Sequence, residues 1–133
     1  MDNSAQAIRD AVLRRYAEGE RNFNDEELDL GCLDFRDADL SGADFSRALI
    51  HADFVGANLS SCRFDRANVK CCDFRGANLL GASFIGAAID GADFDQRGIE
   101  AADFEGASEQ GHVFKAGEKP VRRLGASHPA SAP

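Results

Sequence analysis

Long apolar runs are missing from this 133-residue chain. No stretch approaches the roughly 20 apolar residues that cross a bilayer, so no membrane association is expected. The opening Met1-Asp2-Asn3-Ser4 lacks the basic-then-apolar order of a secretory signal, and a cytoplasmic location is expected. Positive charge is scarce, with 15 Lys and Arg against 23 Asp and Glu for a net charge of −8. Phosphate binding needs clustered cations, so direct nucleic-acid binding is not expected. Basic partners, or proteins that themselves bind DNA, remain open. Cys32, Cys62, Cys71 and Cys72 form no CxxC pair, and no histidine cluster accompanies them. Reduced thiols are therefore expected, with no metal and no cofactor. A phosphate-cradling loop of the Walker type is absent as well.

What is present is a ruler. Phenylalanine returns every ten residues at Phe35 and Phe45, and again from Phe54 through Phe64, Phe74, Phe84, Phe94 and Phe104 to Phe114. Between Phe45 and Phe54 the step is nine. Written in fives, the middle of the chain reads LDFRD ADLSG ADFSR, then ADFVG ANLSS CRFDR ANVKC CDFRG ANLLG ASFIG AAIDG ADFDQ RGIEA ADFEG. The first position is small, the second usually Asp or Asn, the third Phe, Leu, Ile or Val, and the fifth often Gly. A strand alternates every two residues and a helix recurs every 3.6. A period of five needs a turn in every unit. Positions one and three then point inward and position two outward, with Gly easing the corner.

These units resemble the pentapeptide repeat family, whose consensus is A(D/N)LXX, over about residues 30 to 106. The resemblance implies an all-β solenoid, a right-handed quadrilateral β-helix of about four coils with four pentapeptides in each. Two opposite faces then carry phenylalanine columns and the other two carry Leu, Ile or Val. Every phenylalanine except Phe23 is expected to serve the repeat. At the short step, Ala48 and Ile50 fit the inward positions and His51 is left as a one-residue corner.

A solenoid needs its end coils covered. Residues 4 to 18 carry Ile8, Val12 and Tyr16 on one helical stripe with Leu13 beside it, with Asn3 or Ser4 to cap the start and Gly19 to end it. The expected organisation is residues 1–22 as an N-terminal capping helix and leader, 23–116 as the repeat, and 117–133 as a disordered tail. Glu109 falls where an inward aliphatic is due, so regular coiling should stop just before it, with Phe114 folding over the last coil. Arg97 falls in a small inward slot, where an unpaired buried charge is expensive. The backbone is expected to bulge there and release the guanidinium towards solvent, Asp95 or Glu100.

No Ser, Cys or carboxylate stands beside a histidine as nucleophilic catalysis requires, and no enzyme is expected. Stacking by four puts Asp34, Asp53, Asp73 and Asp93 in one outward column. Leu80 and Ile85 occupy outward fourth positions on adjacent sides of one coil. The expected function is a non-catalytic protein–protein interaction module that offers a rigid acidic surface to a partner the sequence does not identify. The resemblance implies an alternative, a DNA-mimicking modulator or protector of a type II topoisomerase such as gyrase. Arg36 and Arg75 interrupt the acidic column such a mimic would use.

Overall fold

The computed structural model describes residues 4–121. Its elements, in chain order, are α1 (Ser4–Ala17), β1 (Glu27–Asp34), β2 (Leu49–Asp53), α2 (Gln96–Ala101), β3 (Ser108–Glu109) and β4 (His112–Val113). Between these lie short bridges rather than long strands, and together they form a solenoid. Parallel bridges join Asp53 to Asp73, Asn58 to Asn78, Arg63 to Ser83 and Asn68 to Ala88, always twenty residues apart. A coil therefore contains four five-residue units. One coil above, Asp39 pairs with Asn58 and Asp44 with Arg63, nineteen apart. Leu49 still pairs with Asn68 at nineteen, whereas Asp53 pairs with Asp73 at twenty. The missing residue therefore lies between Leu49 and Asp53. There β2 runs straight through the corner with Ile50 and Ala52 inward and His51 half-buried outside.

A regular corner is a β-turn. Its fifth-position residue adopts a left-handed backbone, at φ 73° for Gly56 and Gly76 and 59° for Arg66, the third-residue geometry of a type II turn. Glycine takes this conformation freely, whereas Asp37, Arg47, Ser61, Arg66 and Cys71 take it at a steric cost. Arg66→Gly should stabilise the protein by about 0.5–1 kcal/mol, read as a raised thermal midpoint.

Two ring columns fill the interior. Phe23, Phe45, Phe64, Phe84 and Phe104 stack in one, with centroids 4.9 to 5.4 Å apart. Phe35, Phe54, Phe74 and Phe94 stack in the other at 5.0 to 5.5 Å. The columns meet edge to face, as at Phe74 and Phe84, 5.3 Å apart. Leu40, Leu59 and Leu79 and, across from them, Ile50, Val69 and Ile89 complete the core. Burying each ring contributes roughly 1.5–3 kcal/mol.

Phe23 corrects the sequence expectation, because it belongs to the first column. Its amide donates to Asp44 O at 2.8 Å and its ring stacks on Phe45 at 5.3 Å. The first coil is longer than its successors, with Asn22 bridging Asp44 across 22 residues. The surplus lies between Leu28 and Leu33, where β1 bulges away from its register with β2. α1 packs on this coil, with Val12 buried and Ala5, Ile8, Leu13 and Tyr16 partly buried. The expected cap at Asn3 lies outside the described residues, and Ser4 is already helical. Gly19 ends the segment at φ +103°. No helix among the described residues is long and apolar enough to cross a membrane.

At the other end, the expected bulge at Arg97 is the short helix α2. Asp95 caps it, its Oδ1 accepting from Gly98 N at 2.8 Å. Ile99 takes the inward place and Arg97 is exposed. Glycine at position 98 leaves room for Leu79, since a Cβ there would stand 3.0 Å from Leu79 Cδ1 and the leucine would have to shift. Coiling stops where expected: β3 turns back antiparallel as β4, pairing Glu109 with His112. Gln110 and Gly111 both have positive φ, at 49° and 88°, as tight hairpins require. Phe114 is buried and its amide donates to Ala107 O at 2.9 Å. Within the expected disordered tail, Lys119 Nζ donates to Ala102 O at 2.5 Å and Pro120 is buried, while Gly117 and Val121 are exposed. The rest of that expectation, residues 122–133, lies outside the described residues.

Candidate functional site

The ladder aligns Asp34 with Asp53, Asp53 with Asp73, and Asp73 with Asp93, so the four carboxylates share one column. Their orientation was not foreseen. Asp34 Oδ1 accepts from Arg36 N at 3.1 Å, Asp53 Oδ1 from Val55 N at 3.0 Å, and Asp73 Oδ1 from Arg75 N at 3.1 Å. Asn58, Asn68 and Asn78 do the same for Ser60, Lys70 and Leu80 on other faces. The second-position Asp or Asn thus closes an Asx turn onto the amide two residues ahead. That is the physical reason a short carbonyl-bearing side chain recurs there.

Charge in the column is partly matched. Arg36 Nε lies 2.9 Å from Asp34 Oδ1, and Arg75 Nη2 lies 2.7 Å from Asp73 Oδ2. The Arg36 hydrogen bond holds the Asp34 carboxyl well below the usual carboxylate range. The Arg75 side-chain hydrogen bond likewise lowers Asp73, against the opposing effect of partial burial. A lowered folded-state value adds stability above the unfolded value of about 3.9, lost as pH falls through the folded one. Arg75→Ala should therefore move the acid-unfolding midpoint to higher pH, measured by circular dichroism. An unchanged midpoint would mean that the pair does not form in solution.

Leu80 and Ile85 sit on successive corners of the solenoid, 67% and 39% exposed. Their backbones are fixed, since Leu80 O accepts from Ser61 N at 2.9 Å and Ile85 O from Arg66 N at 2.7 Å. Side-chain reorganisation there would not require the corners to move. The two apolar side chains and the aspartate column lie on different faces of the coil.

The cysteines divide into two kinds. Cys62 and Cys72 fill small inward slots, their Sγ–H groups donating to Leu40 O at 3.0 Å and Ile50 O at 3.3 Å. Burial pushes both thiols up to about 12. Cys32 and Cys71 are exposed, with Cys32 raised by partial burial and then by Asp53. A thiol reagent at neutral pH should modify Cys32 and Cys71 in the native protein and reach Cys62 and Cys72 only on unfolding. Rapid labelling of all four would contradict their inward placement. Among the described residues, no group of three or more His, Cys, Asp or Glu is placed to hold a metal ion.

Coils of four five-residue units, each with a small first residue, an Asx-turn second and an inward third, define a pentapeptide repeat protein. The pentapeptide-repeat profile matches residues 27–66, 48–79 and 57–96 with eight copies, together more than half of the chain, and the chain belongs to that family. Several solved structures are similar. A pentapeptide repeat protein of the Arabidopsis thaliana thylakoid lumen is 16% identical, covering 69% of this chain and 68% of that one, at a TM-score of 0.34. A trypsin-treated form of QnrB1, a plasmid-mediated fluoroquinolone resistance protein, is 27% identical over 66% of this chain, at a TM-score of 0.34. The match spans 52% of the QnrB1 chain. A pentapeptide repeat protein from Nostoc PCC 7120 is 32% identical, covering 65% of this chain and 80% of that one, at a TM-score of 0.25. No curated protein matches the chain.

Proposed function

We propose that this protein is a non-catalytic docking module, a right-handed four-sided β-helix with α1 as the lid of its first coil. The observation that carries this reading is the pair Leu80 and Ile85, two exposed aliphatic side chains held on hydrogen-bonded corners. A fixed apolar pair presents contact area at little ordering cost, which favours association. The net negative charge of the chain, −8, bears on partner choice and association rate more than on affinity.

The test is affinity capture with three full-length baits from the source cell. Wild type and the Asp34→Asn, Asp53→Asn, Asp73→Asn, Asp93→Asn chain should retain the same protein at low and high salt. The Leu80→Ser, Ile85→Ser chain should lose it. Capture that survives the serine substitutions but disappears with the asparagines would overturn the reading.

A second reading is favoured by the aspartate column alone: modulation of a type II topoisomerase through a surface that imitates DNA. Binding of that kind weakens steeply with salt. Purified gyrase should then be inhibited, or protected from a fluoroquinolone, by wild type and not by the four-asparagine chain. Arg36 and Arg75 neutralise two members of the column, and for that reason this reading stands second.

A further inference from the structure

We propose that the face bounded by Leu80 and Ile85 pairs with a second copy of this chain, the two solenoids lying side by side and antiparallel. This rests on the docking reading and names the partner at that site. On this face, bridges stack Arg63 on Ser83 and Ser83 on Asp103. The corner beyond it stacks in the same way, since Arg66 N donates to Ile85 O and Gly86 N to Glu105 O. Three rows therefore cross the face about 4.8 Å apart. Arg63 and Arg66 stand in the first row, Leu80 and Ile85 in the second, and Asp103 and Glu105 in the third.

All six side chains are exposed. Asp65 also lies in the first row, but it is half-buried and turned back on its own chain. Its Oδ1 accepts from Ser83 Oγ and from Ile85 N, the latter at 3.1 Å. The Arg63 guanidinium stays 3.9 Å from the Asp65 carboxylate. Arg66, Asp103 and Glu105 form no ion pair among the described residues. Charge thus passes from positive to negative across an apolar centre.

That order matches itself in reverse. Identical subunits most often join about a two-fold axis that sets one patch against the same patch of the other copy. An axis along the rod would lay arginine row on arginine row and acid on acid, which is repulsive. An axis across the rod, along the row of Leu80 and Ile85, reverses one solenoid instead. Each apolar side chain then meets its own counterpart. Arg63 faces Asp103 and Arg66 faces Glu105, and each of these contacts forms twice. So few residues on each side make a small interface, of the kind that associates reversibly.

Sedimentation equilibrium of the purified full chain over a range of concentrations tests this, with circular dichroism reporting the fold of each variant. Wild type should dimerise. Arg66→Glu and Glu105→Arg should each weaken the dimer by about tenfold, because each sets like charges together twice. Mixing the two variants, or joining both substitutions in one chain, should restore wild-type association. A wild type that stays monomeric throughout would overturn the proposal, as would a mixture that associates no better than its components. The docking reading fails separately, when capture of a partner does not need Leu80 and Ile85. A monomeric wild type that captures a different protein through those two residues would overturn the second copy alone.

Discussion

Phe74→Ala should lower the free energy of unfolding by about 3–5 kcal/mol, the largest effect expected from a single ring. Phe74 is fully buried, between Phe54 at 5.1 Å and Phe94 at 5.0 Å. The edges of Phe64 and Phe84 approach it at 5.6 and 5.3 Å. Four neighbouring rings in two crossed columns leave little freedom to collapse into the vacated space, and a rigid cavity costs more than one that can close. The ladder adds to this rigidity, since Phe74 N donates to Asp93 O at 2.8 Å. Chemical denaturation followed by circular dichroism measures the effect. At neutral pH, the exposed neighbour substitution Arg75→Ala should stay within about 1 kcal/mol of wild type. Equal midpoints for the two variants would remove Phe74 from the core.

Phe23→Ala should cost about 3 kcal/mol, at the lower end of the same range, because Phe23 has a stacked ring on one side only. Its other attachment is to α1, where the Arg15 guanidinium lies 4.6 Å from the Phe23 centroid. Arg15 is itself held by Glu20 at 2.5 Å and Glu26 at 2.6 Å, and these hydrogen bonds raise its pKa. Tyr16 Oη adds a bond to Ser41 O at 2.7 Å. Loss of the ring should therefore loosen the helix as well as the coil. Hydrogen exchange should accelerate in residues 8–17 before it changes around Phe84. Unaltered exchange in α1, with stability equal to wild type, would mean that the first coil begins at Phe35.

The repeat was legible because its period is imposed by the core. A ring every ten residues, on a coil of twenty, leaves no other register for Phe45 through Phe104. Even the nine-residue step could be assigned to His51, since Ala48 and Ile50 just before it keep their inward roles. Phe23 was missed because the first coil breaks the ruler. Its bulge between Leu28 and Leu33 sets Phe23 twelve residues before Phe35 and 22 before Phe45. The helix α2 was missed because RGIEA fits the five-residue register by position. Its signal was a local one, an Asp95 cap three residues before Gly98.

The candidate surface was legible in place and not in posture. The period, together with the four units per coil that the family resemblance implies, aligned Asp34, Asp53, Asp73 and Asp93, and it put Leu80 and Ile85 outside. What period cannot give is the direction of a carboxylate after its Cβ. The habit of Asp and Asn of bonding the amide two residues ahead supplies that, and it makes the family's second-position consensus a requirement of the turn. Acidity is then partly a by-product of folding. Asn serves the turn equally at positions 58, 68 and 78.

The claim that outward aspartates serve the coil's own turns is tested most directly by comparing two triple variants in thermal and denaturant unfolding. Asp34→Asn, Asp53→Asn, Asp73→Asn keeps the acceptor oxygens and removes the charge, and should remain within about 1 kcal/mol of wild type. Asp34→Ala, Asp53→Ala, Asp73→Ala leaves three turn amides without their acceptors, at roughly 1 kcal/mol each. It should unfold about 3 kcal/mol more easily. An alanine chain as stable as the asparagine chain would contradict the account, because the carboxylates would then owe nothing to the fold.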